Sequence, residues 1–453
     1  MSTIAATLLV AFTLPSASTP PQAGTQIAYR GNVARLDRDR VPGEAEKTFD
    51  LTLLVASADA SESELLWVID EQGRGAWPWP DRFGRWKLDA QLLPASGTAP
   101  ALLFQRDEGA SVINLDAPLL RAPVPLAAEA TWELGKQKFA VVGPERIDDR
   151  DSWKIAVTTP LGQQRTVWAM PGQEWLAAVD QRIFMGQGEE WLLQLRLVSI
   201  DEPAAAEHAA HVAGLTALEE LVAALGRPRR TQQGTFNERQ LEVVRERLPQ
   251  VDQAAKAGPA VALVETARRD LAQQTGRVAS IAELVAAQQG RKVDDFAATG
   301  LAGARLSAAD LAGQVTVLHF WDYRDEPLKE PYGQVGYLEF LHERRKEAGV
   351  KVYGVAVNRR LTEPDGRASV SRSAARLKSF MNLTYPILFD EGALLKQFGD
   401  PRLAGGQLPV YVVIGRDGRV SHYAVGCYEV DRDAGLKPLD DAVQAALEQR
   451  TEK

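Results

Sequence analysis

The chain has 453 residues, too many for one ordinary domain, so two or three domains are expected. Hydrophobic residues make up 45% and charged residues 25%, as in soluble globular proteins, and a net charge of −8 excludes an electrostatic footprint for nucleic acid or an anionic membrane. Cys427 is the single cysteine, which excludes an intrachain disulfide, a Cys-x-x-Cys pair and a cysteine-based zinc cage.

Residues 4–14 form an apolar run too short to span a bilayer, followed by the small residues Ser16, Ala17 and Ser18. This predicts a signal peptide over 1–18 and an extracytoplasmic protein, periplasmic or secreted, although no Lys or Arg precedes the run. The plainer alternative is an apolar N-terminus without a targeting role. No cysteine stands there to take a lipid anchor, and no other segment reads as an integral membrane helix.

From 25 to 200 short alternating runs are separated by Gly, Pro and Asp turns. Strands are expected over 27–36, 49–55, 64–69, 131–142, 153–158, 165–170, 175–184 and 191–199, as an antiparallel meander forming a barrel or a strongly curved sheet. Nine of the ten tryptophans fall here: Trp67, Trp77, Trp79, Trp86, Trp132, Trp153, Trp168, Trp175 and Trp191. Packing one buried face of a sheet is the first reading for them, and lining a groove for an apolar ligand the second. The strand rhythm over 153–197 resembles the closing hairpins of LolA-like lipoprotein-carrier domains, which implies lipid or lipoprotein carriage as one candidate role.

From 202 to 290 the composition turns to Ala, Leu, Glu, Gln and Arg. Leu215, Leu218, Val222 and Leu225 follow helical spacing, as do Leu241, Val244, Leu248 and Val251. Capping boxes are expected at Thr216 with Glu219, Thr235 with Glu238 and Ser280 with Glu283, dividing a connector of three or four helices. His208 and His211 lie three apart but lack further ligands, so no metal is expected there.

From 291 to 453 strands at 315–321, 350–357, 387–389, 410–414 and 420–425 alternate with helices at 326–348, 370–381, 391–398 and 439–448. This predicts an α/β sheet with an antiparallel edge, closed by a Gly415–Gly418 turn. The fold class overall is multidomain α+β.

The last region is similar to the TlpA/ResA-like and AhpC/TSA (redoxin) branch of thioredoxin-fold proteins. The matches run in order. Val293-Asp294-Asp295-Phe296 stands at the Pro-x-Phe entry without its proline. Leu306-Ser307 to Leu311-Ala312-Gly313 matches the L-S-x-x-x-L-x-G turn, and 315–321 the first core strand. Leu408-Pro409-Val410 stands at the cis-proline that faces the active site, and 414–418 at the hairpin, with Gly415 for its Asp. The resemblance covers about a third of the chain and implies thiol–disulfide or peroxidase chemistry. Its two cysteine positions, however, fall on Asp325 and Leu328, and the loop lacks the Thr and Cys of the peroxidase pattern.

Asp325, Glu326 and Pro327 make a sound helix start without a thiol: an Asp cap, a Glu in the first turn and a tolerated proline. Asp325 as an acid–base group is the less favoured reading, since no partner histidine is placed beside it. Cys427 follows the last strand and is expected near Pro409, because an antiparallel partner returns to the start of its neighbour. His319 and His422 lie within strands and read as core or face histidines.

Whether the chain is an enzyme stays open. The leading expectation is a non-catalytic binding or scaffolding protein of the cell envelope. It would hold an extended peptide or protein partner in the degenerate active-site groove of Trp321, Tyr323, Arg324, Asp325, Glu326, Pro327, Leu328, Leu408, Pro409 and Val410. The alternatives are a redoxin-type oxidoreductase working through Cys427 alone and a carrier working through the β domain. No cofactor or metal is expected.

Overall fold

The computed structural model describes residues 19–106, 109–160, 162–186, 188–231, 234–323 and 334–449. The chain divides into two compact units, Met1–Ala272 and Gln273–Lys453.

The first unit holds thirteen strands among the described residues. They are β1 (Gln26–Leu36), β2 (Pro42–Ala58), β3 (Glu62–Gly73), β4 (Phe83–Asp89), β5 (Pro94–Gly97), β6 (Ala101–Arg106), β7 (Gly109–Asn114) and β8 (Thr131–Leu134). Then come β9 (Gln137–Ile147), β10 (Arg150–Thr159), β11 (Gly162–Ala169), β12 (Leu176–Met185) and β13 (Glu189–Asp201). Eleven of them form one antiparallel sheet in the order β5-β4-β3-β2-β1-β13-β12-β11-β10-β9-β8, while β6 and β7 make a separate hairpin. The residues expected as one strand over 131–142 are two, because Gly135 turns the chain at φ 60° between β8 and β9.

Alternation buries one face of this sheet. Trp67, Trp86, Trp132, Trp175 and Trp191 pack with Leu, Val and Phe side chains in a single cluster. Glycine stands opposite two of the largest rings: a Cβ on Gly31 would come within 2.1 Å of Phe49, and one on Gly84 within 2.8 Å of Trp67. The rings therefore lie across the neighbouring strand. Trp168 faces the other way, with Lys154 and Arg196 each 5.6 Å from its ring centre.

Three helices follow, α1 (Ala205–Ala224), α2 (Glu238–Ala254) and α3 (Ala260–Gln288), the last running across the division between the units. The three expected capping boxes are corrected. Thr216 lies inside α1, where a continuous buried stripe including Leu215, Leu218 and Val222 carries the helix through, and its hydroxyl accepts from Arg85 at 3.1 Å. Ser280 lies inside the 29-residue α3. The cap of α2 is Asn237 instead of Thr235. Its side chain accepts from the Gln240 amide at 2.9 Å, and Gln240 reaches back at 3.1 Å.

The second unit is built on β14 (Ala297–Gly300), β15 (Arg305–Ser307), β16 (Thr316–Asp322), β17 (Lys351–Val357), β18 (Ile387–Asp390), β19 (Val410–Ile414) and β20 (Val420–Val425). Its sheet order is β15-β14-β18-β17-β16-β19-β20, with parallel pairs β16/β17 and β17/β18 and an antiparallel edge. Helices α4 (Val335–Arg345), α5 (Gly366–Phe380), α6 (Ala393–Phe398) and α7 (Lys437–Glu448) accompany it. Apolar clusters are split between the two faces of the central strand: Val317 and Trp321 in one, Leu318 and Phe320 in the other. A strand buried on both faces needs an unbroken apolar run, and this explains the sequence of β16. The last turn closes as expected, the Gly418 amide donating to the Gly415 carbonyl at 3.0 Å.

Candidate functional site

Three strand ends meet where the resemblance puts the active site. Phe320 pairs with Val410, and Val410 with Val425. Pro409, after a cis Leu408–Pro409 peptide bond, is therefore set between the end of β16 and the end of β20. The Gly426 amide donates to the Pro409 carbonyl at 2.8 Å. Cys427 is the next residue, so it stands at this end of the sheet, and it is exposed.

Trp321 is buried and stacks on His319, whose ring also stacks on Tyr411 with centroids 4.7 Å apart. Tyr323 is buried too. Its amide donates to the Val357 carbonyl at 3.1 Å, its carbonyl accepts from Asn358 at 2.7 Å, and its hydroxyl lies 2.6 Å from the Ser373 hydroxyl. Both residues thus act as core anchors of the loop entrance. Arg324, Asp325, Glu326, Pro327 and Leu328 lie outside the described residues, and so does the proposed helix cap. Within the described residues the following helix is α4, with Gln334 at its start.

Gln334 had no signal in the sequence. Its backbone is left-handed, at φ 67°. Its side-chain oxygen accepts from the Tyr411 hydroxyl at 2.7 Å and the Tyr428 amide at 3.0 Å, while its nitrogen donates to the Tyr428 carbonyl at 2.8 Å. One side chain so ties the segment after Cys427 to the start of α4. Tyr428 also lies 2.7 Å from His422 Nε2 and packs on Tyr411 with ring centroids 4.8 Å apart. Tyr411 and Tyr428 had a weak signal, two residues after the expected proline and one after the only thiol.

The electrostatics are uniform. Burial pushes the Tyr411 and Tyr428 phenols far above their ordinary range and the His422 imidazole below its own. Partial enclosure also raises the Cys427 thiol, although the residue is exposed. At neutral pH these groups are uncharged, and the thiol is protonated. Nucleophilic thiol chemistry needs the opposite shift.

Elsewhere, His208 and His211 are buried on α1, His211 Nε2 lying 3.8 Å from Glu207. No group of three His, Cys, Asp or Glu able to hold a metal lies among the described residues. Of the nine tryptophans of the first unit, all but Trp153 are buried.

The AhpC/TSA family model matches residues 289–423. Among curated proteins no sequence matches the chain. Among solved structures, a Chlorobium tepidum putative thiol:disulfide interchange protein DsbE is 24% identical, covering 35% of this chain and 97% of its own, with a TM-score of 0.26. A secreted Mycobacterium tuberculosis disulfide oxidoreductase is 22% identical over 33% of this chain and 95% of its own, with a TM-score of 0.25. Enterococcus faecalis AhpC is 18% identical over 35% of this chain and 92% of its own, with a TM-score of 0.28. Residues 289–423 are an AhpC/TSA redoxin domain of thioredoxin-like fold, with no Cys-x-x-Cys pair and with the only cysteine beyond the matched stretch.

Proposed function

We propose that the chain is an extracytoplasmic binding protein whose redoxin domain holds an extended peptide, or an extended segment of a protein partner in the cell envelope, without thiol exchange. The observation that carries this reading is the state of the only thiol. Cys427 stands at the sheet end where the chemistry would occur, but enclosure raises its pKa and leaves it protonated. Binding is supported by Leu408. This residue is half-buried, and among the described residues its backbone amide and carbonyl have no hydrogen-bond partner, which suits the main chain of an extended peptide. The apolar run at 4–14 supports export.

The test uses the full chain and reduced, carboxymethylated α-lactalbumin as an unfolded probe. Binding is expected by fluorescence anisotropy, unchanged in Cys427→Ser and weakened in Leu408→Asp. Thiol-dependent turnover of insulin disulfides that disappears in Cys427→Ser would overturn the reading in favour of an oxidoreductase. Absence of binding would overturn it as well.

A further inference from the structure

A cavity of about 190 Å³ lies on the β domain, lined by Leu36, Arg40, Arg165, Thr166, Asp180, Arg182 and Leu192. The pairing brings these residues together. Arg182 on β12 is opposite Leu192 on β13, and Leu192 is opposite Ala34 on β1. The β1–β2 turn adds Arg40. Asp37 accepts from the Asp39 amide at 2.9 Å and the Val41 amide at 2.8 Å, holding the turn while Arg40 takes a left-handed φ of 61°. Arg40 Nε then lies 3.5 Å from Glu190.

The charges do not cancel. Asp180 is taken by Arg196 at 2.7 Å and by Gln194 at 3.2 Å. Asp116 is taken by Arg165 at 2.8 Å. Arg182, half-buried, has a guanidinium with no hydrogen-bond or ion-pair partner among the described residues. The Arg165 Nε is buried and also lacks a partner. A guanidinium in surplus inside a concavity draws an anion, and its planar fork matches a carboxylate. The volume equals about six waters at ~30 Å³ each, so the guest is small. Leu36 and Leu192 supply apolar walls, which reward a hydrocarbon body and offer nothing to a bare inorganic ion.

We propose that this cavity binds a small organic carboxylate with an apolar body, its carboxylate on Arg182 and its chain against Leu36 and Leu192. The test is calorimetry on the full chain with 4-methylpentanoate, its uncharged amide 4-methylpentanamide, and inorganic phosphate. One-to-one binding of the carboxylate is expected. It should be weaker by about tenfold or more for the amide and for Arg182→Gln, the loss typical of a charge-assisted bond. Arg40→Gln, on the exposed turn, should weaken binding with the circular dichroism spectrum unchanged. The proposal is overturned if the carboxylate gives no saturable heat, if phosphate binds as tightly, or if Arg182→Gln and Arg40→Gln both fold and bind like the wild type.

Discussion

The amide of Gly426 donates to the carbonyl of Pro409 at 2.8 Å, and this bond holds the residue before Cys427 against the cis-proline at the end of the sheet. The thiol next to that bond is exposed but raised in pKa by its partial enclosure. Alkylation reports the thiolate, so iodoacetamide should modify Cys427 of the folded chain more slowly at pH 7.5 than the same residue in urea. The pH midpoint of the folded rate should lie above that of the unfolded chain. A folded midpoint below the unfolded one would show an activated thiol and defeat the binding reading.

Gln334 is the lock of this end of the sheet. Replacing it with Ala removes the acceptor of the Tyr411 hydroxyl, a group burial has already desolvated. A loss of ~1–3 kcal/mol is expected in urea unfolding. Gln334→Gly should cost less, because glycine accepts the φ of 67° without strain. The two variants should also speed alkylation of Cys427, since the segment after it then loses both of its bonds to the Gln334 side chain.

Lys47 and Glu71 make an ion pair of 2.8 Å with both side chains fully buried in the first unit. Every polar atom of the pair is used. Lys47 also donates to the Gly75 carbonyl at 2.6 Å, and Glu71 accepts from the Trp77 and Leu103 amides at 3.0 Å each. Lys47→Met strands a buried carboxylate and should cost ~3–5 kcal/mol, while Lys47→Met with Glu71→Gln should recover part of that loss. Tryptophan fluorescence follows this unit selectively, because nine of the ten tryptophans lie within it.

Much of the fold was legible because its signals are local. The apolar run of β16, the Gly415–Gly418 turn and the alternation of β13 each follow from burial on one face or two. What failed were assignments in which a local pattern competed with packing. Thr216 has the spacing of a capping box, but a buried stripe of leucines keeps α1 continuous through it. Lys47 lies outside the strand expected over 49–55 and carried no signal, yet it is wholly buried, because its partner Glu71 lies on β3 and the carbonyl it bonds lies beyond, at Gly75.

The candidate site divides along the same line. Chain chemistry alone established that no disulfide exchange pair exists and that Cys427 follows a strand antiparallel to the one begun by Pro409. Covalent order and strand direction are enough for that. The protonated state of the thiol, the Gln334 tie to Tyr411 and Tyr428, and the surplus charge of Arg182 depend on desolvation and on partners far away in sequence. These quantities arise only when distant segments exclude water from one another, and so the tertiary structure alone decides them.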